Sequence, residues 1–263
     1  MSIRVAAISA PEHPEGDLGD GVLKSEDPAS LANALRYAVE LATNKIGAWA
    51  ESNFATPRKQ RRSSVLLMHS PSEDFPKYQK LIQLSRPNLL LIGAMSLSLP
   101  GAVACAGYAK QVLGDQVCVV LGGWHASETV YLDPIGAVRH HASSPVVLMA
   151  QNKIDHVFDL VVSDEGEFII AWLGETIDKL ESIHKRPAEI TSSLNDVTNV
   201  SGRWIVSWEE PGDIKSLQST DLKFPNRHLI APCEVIGDSK FLLSSAVHTW
   251  WAIKLITGFL EIS

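Results

Sequence analysis

The chain has 263 residues, of which 45% are hydrophobic and 20% are charged, with 17 glycines and 14 prolines. This composition is typical of a globular protein and excludes a collagen-like, fully disordered or coiled-coil chain. Thirty acidic side chains against 23 basic ones give a formal net charge of −7, which disfavours general nucleic-acid binding because that binding depends on neutralising phosphates.

The cysteines and the apolar segments indicate a cellular compartment. Cys105, Cys118 and Cys233 are too few and too scattered for a disulfide framework, and their spacing does not suggest an iron–sulfur cluster. The N-terminus lacks the long apolar region of a signal peptide. The most apolar stretch, 241–262, is interrupted by charged residues, so no segment is predicted to span a membrane. We expect a reduced, cytoplasmic protein with neither a nucleic-acid nor a membrane partner.

Five short apolar runs recur between residues 5 and 162. They are continuous rather than alternating, which is typical of strands buried on both faces of a parallel sheet. In chain order they are Val5–Ile8, Val65–Met68, Leu89–Ile92, Val117–Leu121 and Leu160–Val162.

Helical patterns separate these runs. The predicted helices cover Pro28–Trp49, Asp74–Arg86, Gly101–Leu113 and Glu165–Ile183. At the start of the last one, Asp164 and Glu167 resemble a helix cap with its reciprocal acid. Residues 133–155 form an insertion before the fifth run, in which Pro145–Ala150 indicates an extra edge strand.

Strand–helix alternation predicts an α/β fold with a flavodoxin-like (Rossmann-like), doubly wound parallel sheet of five strands in the order 2-1-3-4-5. We assign this domain to residues 1–186. Residues 187–263 are expected to form a small C-terminal extension, with a strand at Arg203–Trp208, a linker and a Trp-rich helix. In such sheets ligands bind outside the carboxyl ends of the strands.

The fourth strand ends in Gly122-Gly123-Trp124-His125. Glycines at a strand end let a ligand approach the backbone, because there is no Cβ atom in the way. The same pair is equally typical of a tight turn between a strand and a helix.

Three segments together resemble the cobalamin (B12)-binding domain at the N-terminus of cobalamin-dependent radical S-adenosylmethionine (SAM) enzymes. They are Gly122–Ser127, the strand leading into Glu165-Gly166-Glu167, and the strand leading into Met95-Ser96-Leu97. The resemblance covers about residues 1–185 and continues weakly through 224–229, which is similar to the linker before the radical SAM core. It implies a bound cobalamin, with these candidate binding residues: Ser96, Leu97, Ser98, Gly122, Gly123, His125, Ser127 and Glu165.

Corrinoid proteins of this fold also carry D-x-H-x-x-G after the first strand, where the histidine ligates cobalt. His13 and Gly16 keep that spacing, so Gly16 is a candidate cofactor contact and His13 a candidate metal ligand. Pro11 stands where the aspartate would orient the imidazole. The alternative is a solvated loop histidine, and radical SAM relatives often bind cobalamin without such a ligand.

The third helix matters for the cofactor's nucleotide tail. The resemblance implies a slot between the sheet and the helices, and Ala102, Ala106 and Gly107 would leave room for it. After the third strand, Leu97 matches the S-x-L pattern of corrinoid proteins, whereas Met95 replaces its first serine.

The radical SAM signature C-x3-C-x2-C is absent from this sequence, so we do not expect the chain to cleave SAM reductively on its own. One interpretation is a corrinoid carrier or partner of a separate radical SAM or methyltransferase protein. A second is a protein-interaction subunit that has lost the cofactor. A third is a small-molecule enzyme using His13, His69, His125 and Glu165. The apolar tail, 241–263, predicts packing on its own domain or a homodimer.

Overall fold

The computed structural model describes residues 3–11, 28–44, 63–68, 70–180, 186–194, 197, 200–210 and 213–221. Within them, the strands of the main sheet are β1 (Val5–Ser9), β2 (Ser63–Leu67), β3 (Leu89–Gly93), β4 (Cys118–Gly122), β7 (Leu160–Asp164), β8 (Arg203–Glu210) and β9 (Asp213–Thr220). A separate hairpin consists of β5 (Val130–Leu132) and β6 (Val138–His140).

The main sheet has the order β2-β1-β3-β4-β7-β8-β9. The first five strands in this order are parallel: Val5 lies opposite both Ser63 and Leu89, and Leu89 lies opposite Cys118. The predicted order 2-1-3-4-5 is therefore confirmed, with β7 as the fifth parallel strand of a flavodoxin-like core. The strands β8 and β9 extend it in antiparallel fashion.

The helices are α1 (Pro28–Thr43), α2 (Pro71–Ser85), α3 (Leu99–Leu113), α4 (Trp124–Thr129), α5 (Pro145–Ala150), α6 (Glu167–Lys179) and α7 (Arg186–Ser193). Short 3-10 turns cover Ser96–Ser98 and Gly114–Gln116. None of the helices in the described segments combines the length and apolar character that a membrane crossing requires.

Hydrophobic layers cover both faces of the sheet. Val5 and Ala7 of β1 face a cluster that includes residues of α1, α6 and α7. Ala6 and Ile8 face the opposite cluster, to which α2, α3 and α5 contribute. Burial on both faces explains why the parallel strands are continuous apolar runs.

The predicted edge strand at Pro145–Ala150 is wrong, because these residues form α5. Pro145 occupies the first turn, where the missing N–H group costs nothing. Val146 and Met149, three residues apart, both lie in the core, which is a helical spacing rather than that of a strand.

The strand predicted at Arg203–Trp208 is confirmed as part of β8, and Trp204, Ile205 and Val206 are buried in it. β9 was not predicted, because its sequence is mostly polar. β9 lies at the edge of the sheet and alternates between exposed and half-buried positions. The predicted linker and Trp-rich helix, with the tail at 241–263, fall outside the described residues.

Candidate functional site at the carboxyl edge of the sheet

The structure brings the candidate residues of three segments to one edge. Ser96, Leu97 and Ser98 form the 3-10 turn after β3, Gly122 ends β4, and Glu165 follows β7. Gly123 precedes α4, which contains His125 and Ser127. Because β3, β4 and β7 are neighbouring parallel strands, their carboxyl ends meet at this edge, here called the carboxyl edge. His13, Gly16 and His69 lie outside the described residues.

Gly123 is required by the packing of the chain on itself. Its φ is +92°, and a Cβ atom at this position would lie 2.9 Å and 3.0 Å from the nitrogen and oxygen of Ala94. The Ala94 N–H donates to the Gly122 carbonyl, and the His125 N–H donates to the Ala94 carbonyl, both at 3.0 Å. These contacts join the segments after β3 and β4 and account for Gly123 as a turn residue.

His125 is held at both ring nitrogens. Its Nδ1 lies 3.0 Å from the hydroxyl oxygen of Ser96, and its Nε2 lies 3.2 Å from the carbonyl oxygen of Ser143. The residue is only 4% exposed. Burial lowers the pKa of His125, against the opposing effects of the Ser143 carbonyl and the Glu128 carboxylate. The imidazole is therefore a neutral group near pH 7.

Polar contacts continue from His125 to the surface. The Ser96 hydroxyl lies 3.1 Å from Oε2 of Glu128, and Nε1 of Trp124 donates to the other oxygen of the same carboxylate. Sequence analysis did not identify Glu128 as a site residue. Its spacing of four from Trp124 on a short helix was the available signal, because residues four apart share one helix face.

Among the described residues, the accessible side chains of the carboxyl edge include Met95, Ser96, Leu97, Trp124 and Glu128, here called the edge surface. Ser96 and Glu128 are exposed, whereas Met95 and Trp124 are partly exposed. Leu97 is 47% exposed. The surface therefore combines three apolar side chains with a hydroxyl and a carboxylate.

The burial of two candidate serines indicates structural roles. Ser98 and Ser127 are both buried. The hydroxyl oxygen of Ser127 accepts a hydrogen bond from the Asp164 N–H at 3.2 Å, which ties α4 to the end of β7.

The end of β7 differs from the predicted helix cap. Asp164 has a φ of +61°, and its carboxylate lies 3.4 Å from Nε of Arg203. α6 begins at Glu167, and the residue in the cap position is Gly166, with no side-chain cap. The prediction that Asp164 caps this helix is wrong, because its left-handed backbone turns the side chain towards β8. Glu165, half-buried, lies at the carboxyl edge.

The inner face of α3 packs against the rest of the protein. Ala102 and Ala106 are fully buried in a hydrophobic cluster. A Cβ atom on Gly101 would lie 2.2 Å from the carbonyl oxygen of Pro11. The space beside these small residues is therefore filled by other parts of the protein, and the predicted slot for a nucleotide tail is not open there.

Within the described segments, no group of three or more histidine, cysteine, aspartate or glutamate side chains is placed to hold a metal ion. The sequence matches no protein-family model and no curated protein, and the structure matches no solved structure.

Proposed function

We propose that this chain binds a corrinoid, cobalamin, on its edge surface and acts as carrier or partner of a separate radical SAM or methyltransferase protein. The observation that carries the proposal is the edge surface itself. It lies at the carboxyl ends of β3 and β4, beside the reversal of strand order between β1 and β3, and doubly wound sheets bind their ligands at this end of the sheet.

The chemistry of the edge surface suits a corrin ring. The ring is broad and apolar on its faces and carries amide groups around its rim. Leu97, Met95 and Trp124 offer apolar contacts to a face, and Ser96 and Glu128 offer hydrogen-bonding groups to the amides. When bound, a corrinoid supplies a cobalt atom able to carry a methyl group.

Two histidines, His125 and His13, are the candidate protein ligands of cobalt. Both ring nitrogens of His125 are bonded within the protein, so this side chain does not offer cobalt a free nitrogen. His13 remains the ligand predicted from the sequence.

The packing of α3 leads to a specific expectation about the nucleotide tail. Because Pro11, Ala102 and Ala106 fill the inner face of this helix, the tail gains little from the protein there. We therefore expect cobinamide, which lacks the nucleotide, to bind about as tightly as cobalamin.

The test is a UV–visible titration of the full chain with hydroxocobalamin and with cobinamide, followed by gel filtration. We expect stoichiometric co-elution and a changed spectrum. Leu97→Asp should weaken binding about tenfold or more, since it removes a buried apolar contact. The matched control is Leu84→Asp on α2, where the leucine is 45% exposed but distant in the fold. Absence of binding at micromolar concentrations, or equal effects of both variants, would contradict the proposal.

The second candidate is a protein-interaction subunit that has lost the cofactor, and the filled inner face of α3 favours it. This candidate predicts no corrinoid binding while Leu97→Asp still abolishes association with the partner protein.

The tail, 241–263, carries a separate proposal of a homodimer or of packing in cis. Sedimentation of the full chain measures its mass in solution. Deletion of residues 241–263 should cause aggregation; a deletion variant that stays monomeric and equally stable would contradict both forms of this proposal.

A further inference from the structure

We propose that Ser96 is a nucleophile activated by His125, and that the edge surface accepts small esters with an apolar acyl group. This activity goes beyond corrinoid binding and does not depend on it. Its basis is the distance of 3.0 Å between the Ser96 hydroxyl oxygen and Nδ1 of His125, which is within the reach that a general base needs.

The contact with Ser143 determines which ring nitrogen carries the proton. A carbonyl oxygen can only accept, so the hydrogen bond of 3.2 Å requires a proton on Nε2 of His125. In the neutral imidazole the other nitrogen, Nδ1, then carries the lone pair that can accept the Ser96 proton. The backbone carbonyl thus has the positioning role that an aspartate has in a serine hydrolase triad.

Glu128 supplies the negative charge. Its carboxylate accepts from the Ser96 hydroxyl at 3.1 Å, and the indole N–H of Trp124 donates to its other oxygen. Because the hydroxyl has one hydrogen, rotation about its C–O bond directs that hydrogen either to Glu128 or to Nδ1 of His125. When Ser96 loses its proton to His125, the ring becomes an imidazolium, and a nearby carboxylate stabilises that charge. Glu128 acts through its charge and is a positioning residue.

Access and substrate class follow from the surroundings of Ser96. Its side chain is exposed, unlike those of Ser98 and Ser127. Leu97, Met95 and Trp124 flank it with apolar surface suited to an acyl chain.

The reaction balances without a cofactor. Ser96 Oγ forms a bond to the ester carbonyl carbon, its proton moves to Nδ1 of His125, and the bond from carbon to the leaving oxygen breaks as that oxygen takes the proton. Water then attacks the carbonyl carbon of the acyl-serine and gives one proton to Nδ1. The bond from that carbon to Ser96 Oγ breaks, Oγ takes the proton back from Nδ1, and the carboxylic acid leaves.

A fluorophosphonate probe tests the nucleophile directly, because it forms an oxygen–phosphorus bond with an activated serine and releases fluoride. We expect a single adduct, mapped to Ser96 by peptide mass spectrometry, and none with Ser96→Ala. His125→Gln should slow labelling by a factor of about 100 or more, the usual contribution of a general base. The control is Ser85→Ala in the last turn of α2, where the Ser85 hydroxyl donates to the Leu81 carbonyl at 2.7 Å. This variant should label like the native chain.

The pH profile of labelling keeps the test valid if His125→Gln does not fold. In the native chain the rate should fall in acid as Nδ1 takes up a proton, with a midpoint below the usual histidine value because burial lowers the pKa of His125. No adduct, an adduct on another serine, or a rate that simply follows hydroxide concentration would overturn the proposal.

The proposal of corrinoid binding and the proposal of a nucleophilic Ser96 can be tested separately. Labelling is measured without corrinoid, and corrinoid binding is measured in Ser96→Ala as well as in the native chain. Protection of Ser96 by hydroxocobalamin would show that both use the edge surface; labelling without corrinoid binding would leave the nucleophile in place and remove only the cofactor.

Discussion

Gly101 lies so close to Pro11 that a Cβ atom at residue 101 would be 2.2 Å from the Pro11 carbonyl oxygen. The Ala10 N–H donates to the Gly93 carbonyl at 2.8 Å, so the segment after β1 is tied to both β3 and α3. The strand order reverses between β1 and β3, where doubly wound folds open a crevice. In this protein the chain itself bridges that crevice at Pro11.

Substitution of Gly101 tests this close contact. Gly101→Ala should destabilise the protein by about 1–3 kcal/mol, because backbone atoms must move to admit a methyl group. Gly107→Ala on the same helix is the control: its Cβ would lie 3.8 Å from the nearest atom, a side-chain carbon of Val157. That change should be neutral or stabilising, by up to about 1 kcal/mol from helix propensity. Urea unfolding of both variants measures the difference; equal stabilities would show that the contact with Pro11 is not close in solution.

Gly123→Ala should destabilise the protein for two reasons. Comparison with Gly136→Ala distinguishes between them. A positive φ costs an alanine about 1–2 kcal/mol, and the collision with the Ala94 backbone adds to this. Gly136 also has a positive φ, of +82°, but nothing lies within 4 Å of its missing Cβ. Gly136→Ala should therefore show the conformational cost alone. If the two variants have the same melting temperature, the contact between Gly123 and Ala94 contributes nothing.

The ion pair between Lys110 and Asp159 should contribute to stability. Asp159 lies 2.6 Å from Lys110 Nζ and accepts the Val119 N–H at 2.6 Å; burial raises the pKa of Asp159, and Lys110 opposes that rise. Asp159→Asn should cost about 1–3 kcal/mol, because a largely buried lysine loses its charged partner. The control pair, Asp213 and Lys215, has the same distance of 2.6 Å but is exposed. Asp213→Asn should cause no measurable change in denaturant unfolding, and a similar loss in both variants would contradict this reasoning.

His140 should make stability depend on pH. Its Nε2 lies 3.0 Å from the Ser207 hydroxyl and 3.2 Å from the Ser216 hydroxyl, which pins the β5–β6 hairpin to β8 and β9. Burial lowers the pKa of His140, so the unfolded chain takes up a proton at a higher pH than the folded one. The resulting stability is present above the unfolded value of about 6.5 and is lost as the pH falls below it.

Melting temperatures measured between pH 7.5 and about pH 5.5 check this prediction, because the ordinary histidine pKa of about 6.5 lies between these limits. The native chain should lose stability on acidification, and His140→Gln should lose less. The pKa of His125 is also lowered by burial, so His125 makes stability depend on pH in the same direction. Part of the pH dependence of stability therefore remains in His140→Gln. An unchanged pH dependence in His140→Gln would exclude His140 as a source.

The sequence predicted the core of the fold well because its signals are local. Runs such as Leu89–Ile92 are apolar without interruption, and only a strand covered on both faces needs that pattern. α5 and β9 were harder to predict from the sequence. Pro145–Ala150 is too short for periodicity to separate a helix from a strand, and the polar sequence of β9 becomes a strand through pairing with β8.

By itself the sequence determined the alternation of strands and helices, the parallel order of the core and the edge at which the candidate residues gather. Only the tertiary structure decided how these residues are used. It places the Ser96 hydroxyl within hydrogen-bonding distance of His125 and of Glu128 and brings Gly123 against Ala94, although 29 to 32 positions separate the residues of each pair. Backbone patterns depend on neighbours along the chain, whereas contacts between side chains depend on strands that the fold brings together, and no local pattern records those distances.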